Sequence, residues 1–381
     1  MCIFQVMSKN KVIAVFEDLL RAGLWGTPLG DLWKELKEED WKQVLWLARQ
    51  QTVQGLVFDG LQVIKDIPPL KKLMFELTIQ VIRIEQLNKL LNRTAIYFIE
   101  KLRANGVQAV LLKGQGVATL YPHPERRQCG DIDLYVGLSQ YEKTRQLFEE
   151  WGYSVDFEQI GDKHLKVIEK NGINLDIHWI TTMPLSPKYD RPLRKWEQTA
   201  FNEQREYVLL NGIKVQVPPP LFNAIFLFMH MFNHFMSEGV SYRQICDWGL
   251  SLQNDEVRLN HKLLEDYIVK FDLVEPWSVF SYLVVNNLGY NISDFPLYTD
   301  RCDKKAGAVL ERIYGGGNFG KYRNSKKYKN YPWLIWKIIS LYNHHLNGWQ
   351  VMRIFPRQYF RYYIRMWNLV AVNLIRGIKI H

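Results

Sequence analysis

Val107-Gln108-Ala109-Val110-Leu111-Leu112-Lys113-Gly114-Gln115-Gly116, followed downstream by Gly130-Asp131-Ile132-Asp133-Leu134-Tyr135-Val136, is the stretch that decides how the chain is read. A β-type apolar run over 107–112 stops at a glycine turn, helix-compatible residues follow, and a second β-type run begins at Asp131. Strand, turn, short helix and strand is the expected order. Glycine at such a turn reaches positive φ without strain and lets the backbone approach a phosphate. In the second run side chains alternate between faces, so Asp131 and Asp133 point one way while Ile132, Leu134 and Val136 point into a core. At a rise of roughly 3.3 Å per residue the two carboxylates stand about 7 Å apart.

Like charges that close raise one another's pKa unless a cation lies between them. Hard oxygen ligands with open positions suit Mg²⁺, which takes one or two carboxylates together with substrate phosphates. An isolated Asp-x-Asp is more often a solvated strand face than a metal site, so a third acidic group matters. Ile173-Asn174-Leu175-Asp176-Ile177-His178-Trp179 alternates in the same way, with Asp176 and His178 on the polar face. If this strand lies beside the first, three carboxylates meet. His178 then reaches the metal shell or the nucleotide, or else only hydrogen-bonds a carboxylate.

Lys113-Gly114, then Arg127 and Gly130-Asp131-Ile132-Asp133-Leu134, then Leu175-Asp176-Ile177-His178-Trp179, resembles the nucleotidyltransferase superfamily that includes DNA polymerase β and the aminoglycoside nucleotidyltransferases, and within it an uncharacterised bacterial branch. The resemblance covers about 107–179, and departs from the superfamily at the turn, where Lys113-Gly114-Gln115 stands in place of Gly-Ser. It implies an α+β fold: a polymerase β-like core with a small mixed sheet, flanked by helical regions on both sides. It implies a Mg²⁺-dependent enzyme that moves a nucleoside monophosphate from a nucleoside triphosphate (NTP) to a hydroxyl acceptor with release of pyrophosphate. Asp131, Asp133 and Asp176 would be the catalytic carboxylates and the ligands of two Mg²⁺ ions. Lys113, Gly114, Gln115, Arg127, Gly130 and His178 would bind the nucleotide. The acceptor is open between a small molecule, a protein side chain and an RNA end. The rival reading is a catalytically inactive protein of the same fold that acts as a nucleotide- or nucleic-acid-binding partner.

Outward from the core, apolar residues recur at helical steps over 12–22, 39–63 and 69–105, with Asn105-Gly106 as a stop, which predicts an N-terminal helical region over 1–105. The nucleotidyltransferase unit then spans 106–217. Within it Tyr121 to Gly130 is a proline-held loop, Ser139 is the expected cap of a helix ending at Gly152, and 153–158 and 164–169 alternate like a hairpin. One more strand is expected over Ile213–Val217, and Pro218-Pro219-Pro220 marks a boundary. A helical domain over 218–310 follows, with helices at 221–236, 241–253 and 261–271. His230 and His234 share a helix face there, but without a third ligand they make a weak zinc signal. Arg243 and Asp247, also four apart, read first as an internal polar network and second as contacts to nucleotide or acceptor.

The net charge of +10 is concentrated at one end, since no acidic residue follows Glu311. In this basic aromatic tail, 311–381, Arg357, Arg361 and Arg365 form a helical stripe beside Phe355, Tyr359, Tyr362 and Trp367. Such a stripe fits nucleic-acid phosphates, an anionic membrane surface, or plain packing. Gly315-Gly316-Gly317 reads as a flexible joint. Four scattered cysteines without a Cys-x-x-Cys pair argue against a disulfide framework or zinc site, and the absence of a signal-like apolar start leads to the expectation of a cytoplasmic enzyme.

Overall fold

The computed structural model describes residues 3–64, 71–154, 164–168, 171–320, 335 and 346–375. Helices α1 (Ile3–Trp25), α2 (Glu38–Gln50), α3 (Gln54–Gln62) and α4 (Lys71–Ala104) precede the first strand. β1 (Val110–Leu112), α5 (Gly114–Ala118), β2 (Asp131–Tyr135), α6 (Leu138–Glu150), β3 (His164–Ile168) and β4 (Asn174–His178) build the central unit. α7 (Asp190–Glu203) and the hairpin β5 (Glu206–Leu210) and β6 (Ile213–Val217) follow. Then come α8 (Pro220–Ser237), α9 (Tyr242–Ser251), α10 (Asp255–Leu259), α11 (His261–Lys270), α12 (Val274–Leu288), α13 (Asp303–Gly316) and α14 (Pro356–Ile375). The fold is helix-rich α+β with a small mixed sheet, as expected.

The sheet runs β1-β2-β4-β3, with β2 and β4 parallel and both outer pairs antiparallel. Register fixes which side chains share a face. Asp133 is the Cα partner of Asp176, Asp131 of Asn174, and Tyr135 of His178, while His178 also partners His164 on β3. The alternate residues Leu111, Ile132, Leu134, Leu165, Leu175 and Ile177 line the other face, and all are buried in a core shared with the C-terminal half of α4 and with α6. One apolar face against helices therefore turns the acidic face toward the remaining helices. Val110, Leu112 and Tyr135 on that second face join a larger core that holds α1–α3 and α8–α13 together.

Several local readings change. The expected helix over 39–63 is two, broken where Thr52 adopts φ +53. α6 begins at Leu138 after Gly137 as N-cap, so Ser139 lies inside the helix and caps nothing. Ser241 does cap α9, sharing a capping box with Gln244. β5 is an additional strand; Asn211 (φ +48) and Gly212 (φ +81) turn it into β6, the left-handed pair that a tight two-residue hairpin requires. Gly315 and Gly316 belong to α13, which ends at Gly317, so the triple glycine closes a helix and is not a joint. Residues 155–158, 169, 326–329 and 376, which carried parts of the hairpin and tail readings, lie outside the described residues.

The described part of the tail is tied down. On α14, Arg357 sits 2.9 Å from Asp272 and Arg361 pairs with the same carboxylate, while Arg365 donates to the Pro184 carbonyl. No helix among the described residues is long and apolar enough to cross a membrane. The three described cysteines, Cys129, Cys246 and Cys302, are free.

Candidate active site

Asp133 and Asp176 stand side by side across the β2–β4 pair, and Asp131 occupies the same face one step along β2. Asp133 is 2% exposed, Asp176 is half-buried and Asp131 is open to solvent. The three carboxylates expected to meet are therefore brought together on one face. β1 delivers a cation to them: immediately after its last residue, Lys113 places Nζ 2.7 Å from Asp133 Oδ1. Lys113 does so from φ +45 and ψ −141, a conformation that costs a non-glycine residue of order 1–3 kcal/mol. Gly114 follows at φ +38, the region that glycine enters without that cost.

His178 Nε2 lies 2.7 Å from the same Asp133 oxygen. Burial alone would push the Asp133 carboxyl up, but the Lys113 ammonium and the His178 ring hold it well below the usual carboxylate range. Its neighbours move the other way. The Asp133 carboxylate raises Asp131. Burial, then Asp133 and Asp131, push Asp176 up to about 7. Asp176 thus titrates near neutrality beside two other carboxylates, which is the repulsion that a divalent cation relieves.

His164, on β3, was not anticipated as a site residue. Its Nε2 is 3.4 Å from Asp176 Oδ2, and ligand atoms of His164, Asp176 and His178 all lie within 4.8 Å of one another. The alternation His164-Leu165-Lys166-Val167-Ile168 put it on a polar strand face, but only the pairing of β3 with β4 sets it against His178.

The acidic face opens on a cleft of about 520 Å³, mouth included. Lys113, Gly114, Asp131 and Asp133 form one wall, and His230, Arg243 and Gln244 from α8 and α9 face them. Arg127 lines it too, but is 6% exposed, and its guanidinium is held by Asp247 through Nε–Oδ1 at 2.7 Å and Nη2–Oδ2 at 2.5 Å. Tyr121 donates its hydroxyl to the same Oδ1 at 2.7 Å. Arg127 therefore bolts the loop before β2 to α9. Gln115 is buried with its amide donating to Asn92 at 3.0 Å and Asn88 at 3.3 Å, so its side chain faces α4. Gly130 is exposed with open space around it. Among the described residues His230 and His234 join no three-ligand group.

A mixed sheet presenting three carboxylates, a lysine and an open cleft is the arrangement expected of a nucleotidyltransferase. The chain belongs to a family described as uncharacterised nucleotidyltransferases, whose sequence profile matches residues 37–284. Solved structures similar to it include an antigenic nucleotidyltransferase-like protein from Paracoccidioides brasiliensis, 17% identical, covering 53% of this chain and 93% of that one at a TM-score of 0.31. Another is the lincosamide antibiotic adenylyltransferase LnuA bound to lincomycin, 15% identical, covering 42% of this chain and 94% of that one at a TM-score of 0.29. No curated protein matches.

Proposed function

We propose that the protein transfers a nucleoside monophosphate from an NTP to a hydroxyl acceptor and releases pyrophosphate. The observation that carries this reading is the register of β2 on β4, which puts Asp133 beside Asp176 with Asp131 on the same face and Lys113 at hand. The carboxyl of Asp176, pushed up by burial and by Asp133 and Asp131 in spite of Lys113 and Lys166 nearby, supports the fit of a divalent cation. Asp131, Asp133 and Asp176 would hold Mg²⁺, as two ions, which when bound neutralises phosphate oxygens and makes the acceptor hydroxyl more acidic.

The chain's own groups account for the rest. The acceptor oxygen attacks the α-phosphorus, the bond from that phosphorus to the β-phosphate bridging oxygen breaks, and pyrophosphate departs with the electron pair. Asp176, across the strand pair from Asp133, takes the hydroxyl proton or orients the group that does. His178 holds Asp133 in place as an ionised carboxylate, which keeps one strong acceptor fixed on the acidic face. Lys113, already paired with Asp133, turns toward the incoming triphosphate and offsets its charge. The Gly114 turn lies close enough to line the phosphate path. Arg127 acts at one remove, by fixing the loop that leads into β2.

The test is incubation with each of ATP, GTP, CTP and UTP, Mg²⁺ and candidate acceptors of the three classes: small hydroxylated molecules, protein side chains and RNA ends. Pyrophosphate release that disappears in Asp133→Asn supports the reading. Nucleotide or nucleic-acid binding without release in any combination supports the inactive binding partner instead.

A further inference from the structure

Two arginines line the cleft, and they differ in what already neutralises them. Arg127 is buried and held at two of its nitrogens by the Asp247 carboxylate, so its charge is spent within the fold. Arg243, one turn before Asp247 on α9, is half-buried, and no carboxylate lies within ion-pair distance of it among the described residues. One edge of its guanidinium is anchored, Nη1 donating to the Gln128 carbonyl at 2.8 Å. Its Nε is buried and has no hydrogen-bond partner. A buried donor left unmatched costs free energy, so this guanidinium is not fully satisfied by the fold.

The position narrows what that group is. Arg243 shares the cleft with Lys113, Gly114, Asp131 and Asp133, and it acts on the Asp131 carboxyl as a stabilising positive charge. A guanidinium steadied at one edge offers its remaining N–H groups in a fixed fork, the geometry that matches phosphate oxygens. We infer that Arg243 binds the β- and γ-phosphates of the NTP and carries the charge of the departing pyrophosphate. This rests on the nucleotidyl-transfer reading and assigns the anion-binding role expected of Arg127 to the helical layer opposite the sheet. The acidic face then holds the reacting phosphate, and α9 grips the leaving part. That division places the opposing charges on separate walls of one cleft.

The experiment measures binding of pyrophosphate, of a non-hydrolysable NTP analogue and of the matching nucleoside monophosphate, each with Mg²⁺, to the wild-type chain and to Arg243→Gln and Arg243→Lys, with thermal unfolding as a check on folding. Loss of a charge-assisted contact predicts that Arg243→Gln weakens pyrophosphate and the analogue by about ten- to a hundredfold and leaves the monophosphate within about twofold. Arg243→Lys recovers part of the loss, and serves alone if the glutamine variant does not fold. Equal weakening of all three ligands, or none, overturns the assignment while wild-type transfer activity leaves the proposed function standing. A wild-type chain that neither binds the analogue nor releases pyrophosphate removes both.

Discussion

Replacing Asp247 by alanine tests how the active-site loop is fastened. Asp247 is the sole ion-pair partner of Arg127 among the described residues, and the guanidinium it neutralises is 6% exposed. Three contacts go at once: Nε–Oδ1 at 2.7 Å, Nη2–Oδ2 at 2.5 Å and the Tyr121 hydroxyl to Oδ1 at 2.7 Å. Exposed pairs contribute about 0–1 kcal/mol, because water screens them and replaces the lost partner. Here water does not reach the guanidinium, so truncation leaves a buried charge uncompensated, and the expected loss is about 3–5 kcal/mol. Denaturant unfolding measures it. The double variant Arg127→Met with Asp247→Leu removes both charges and fills the space, and it should recover most of that stability, since apolar replacements of buried pairs are often neutral. A loss below about 1 kcal/mol in Asp247→Ala, or a double variant no better than the single, would refute the argument that the pair is desolvated and structural.

Other outcomes follow from the same geometry. Asp176 has a folded-state pKa above its unfolded value, so its contribution to stability is complete below about pH 4 and is lost as pH rises through about 7. Asp133 is shifted the opposite way, so its contribution is present above about pH 4 and is lost only as pH falls through its depressed folded value. Between those limits the chelated protein should lose stability with rising pH, Asp176→Asn should flatten the slope, and added Mg²⁺ should counter it; urea midpoints across pH with and without chelator check this. Gly55→Ala would set a methyl 2.2 Å from the Arg126 carbonyl, where α3 meets the loop before β2, and should cost about 1–3 kcal/mol in an unfolding titration. Asp272→Asn releases Arg357 and Arg361, and limited proteolysis should then cut α14 faster than in the parent.

Local periodicity made the strands and their acidic face legible in the sequence. Alternation in Asp131–Val136 and Ile173–Trp179 gave the strands, their apolar faces and the three carboxylates. Pairing between distant segments was less legible. His164 became part of the site only because β3 lies against β4, and no spacing rule carries that register. Arg127 and Arg243 look alike as isolated residues near acidic groups; which one is neutralised depends on where α9 packs. Gln115, next to the glycine turn, read as a phosphate donor because α4 and its Asn88 and Asn92 lie far away in sequence. The basic stripe fitted nucleic acid, a membrane surface or packing alike, and its partners Asp272, Met183 and Pro184 come from two distant stretches that the tail's own spacing does not reveal. β5 was missed despite the Asn211-Gly212 turn that announces a hairpin.

Metal-nucleotide placement bears most directly on the central claim. A crystal of the protein grown with Mn²⁺ and a non-hydrolysable NTP analogue should show anomalous density among Asp131, Asp133 and Asp176, with the α-phosphate against it and the outer phosphates toward α9. Density for the metal and nucleotide elsewhere on the protein, with those three carboxylates making no contact to either, would contradict the account.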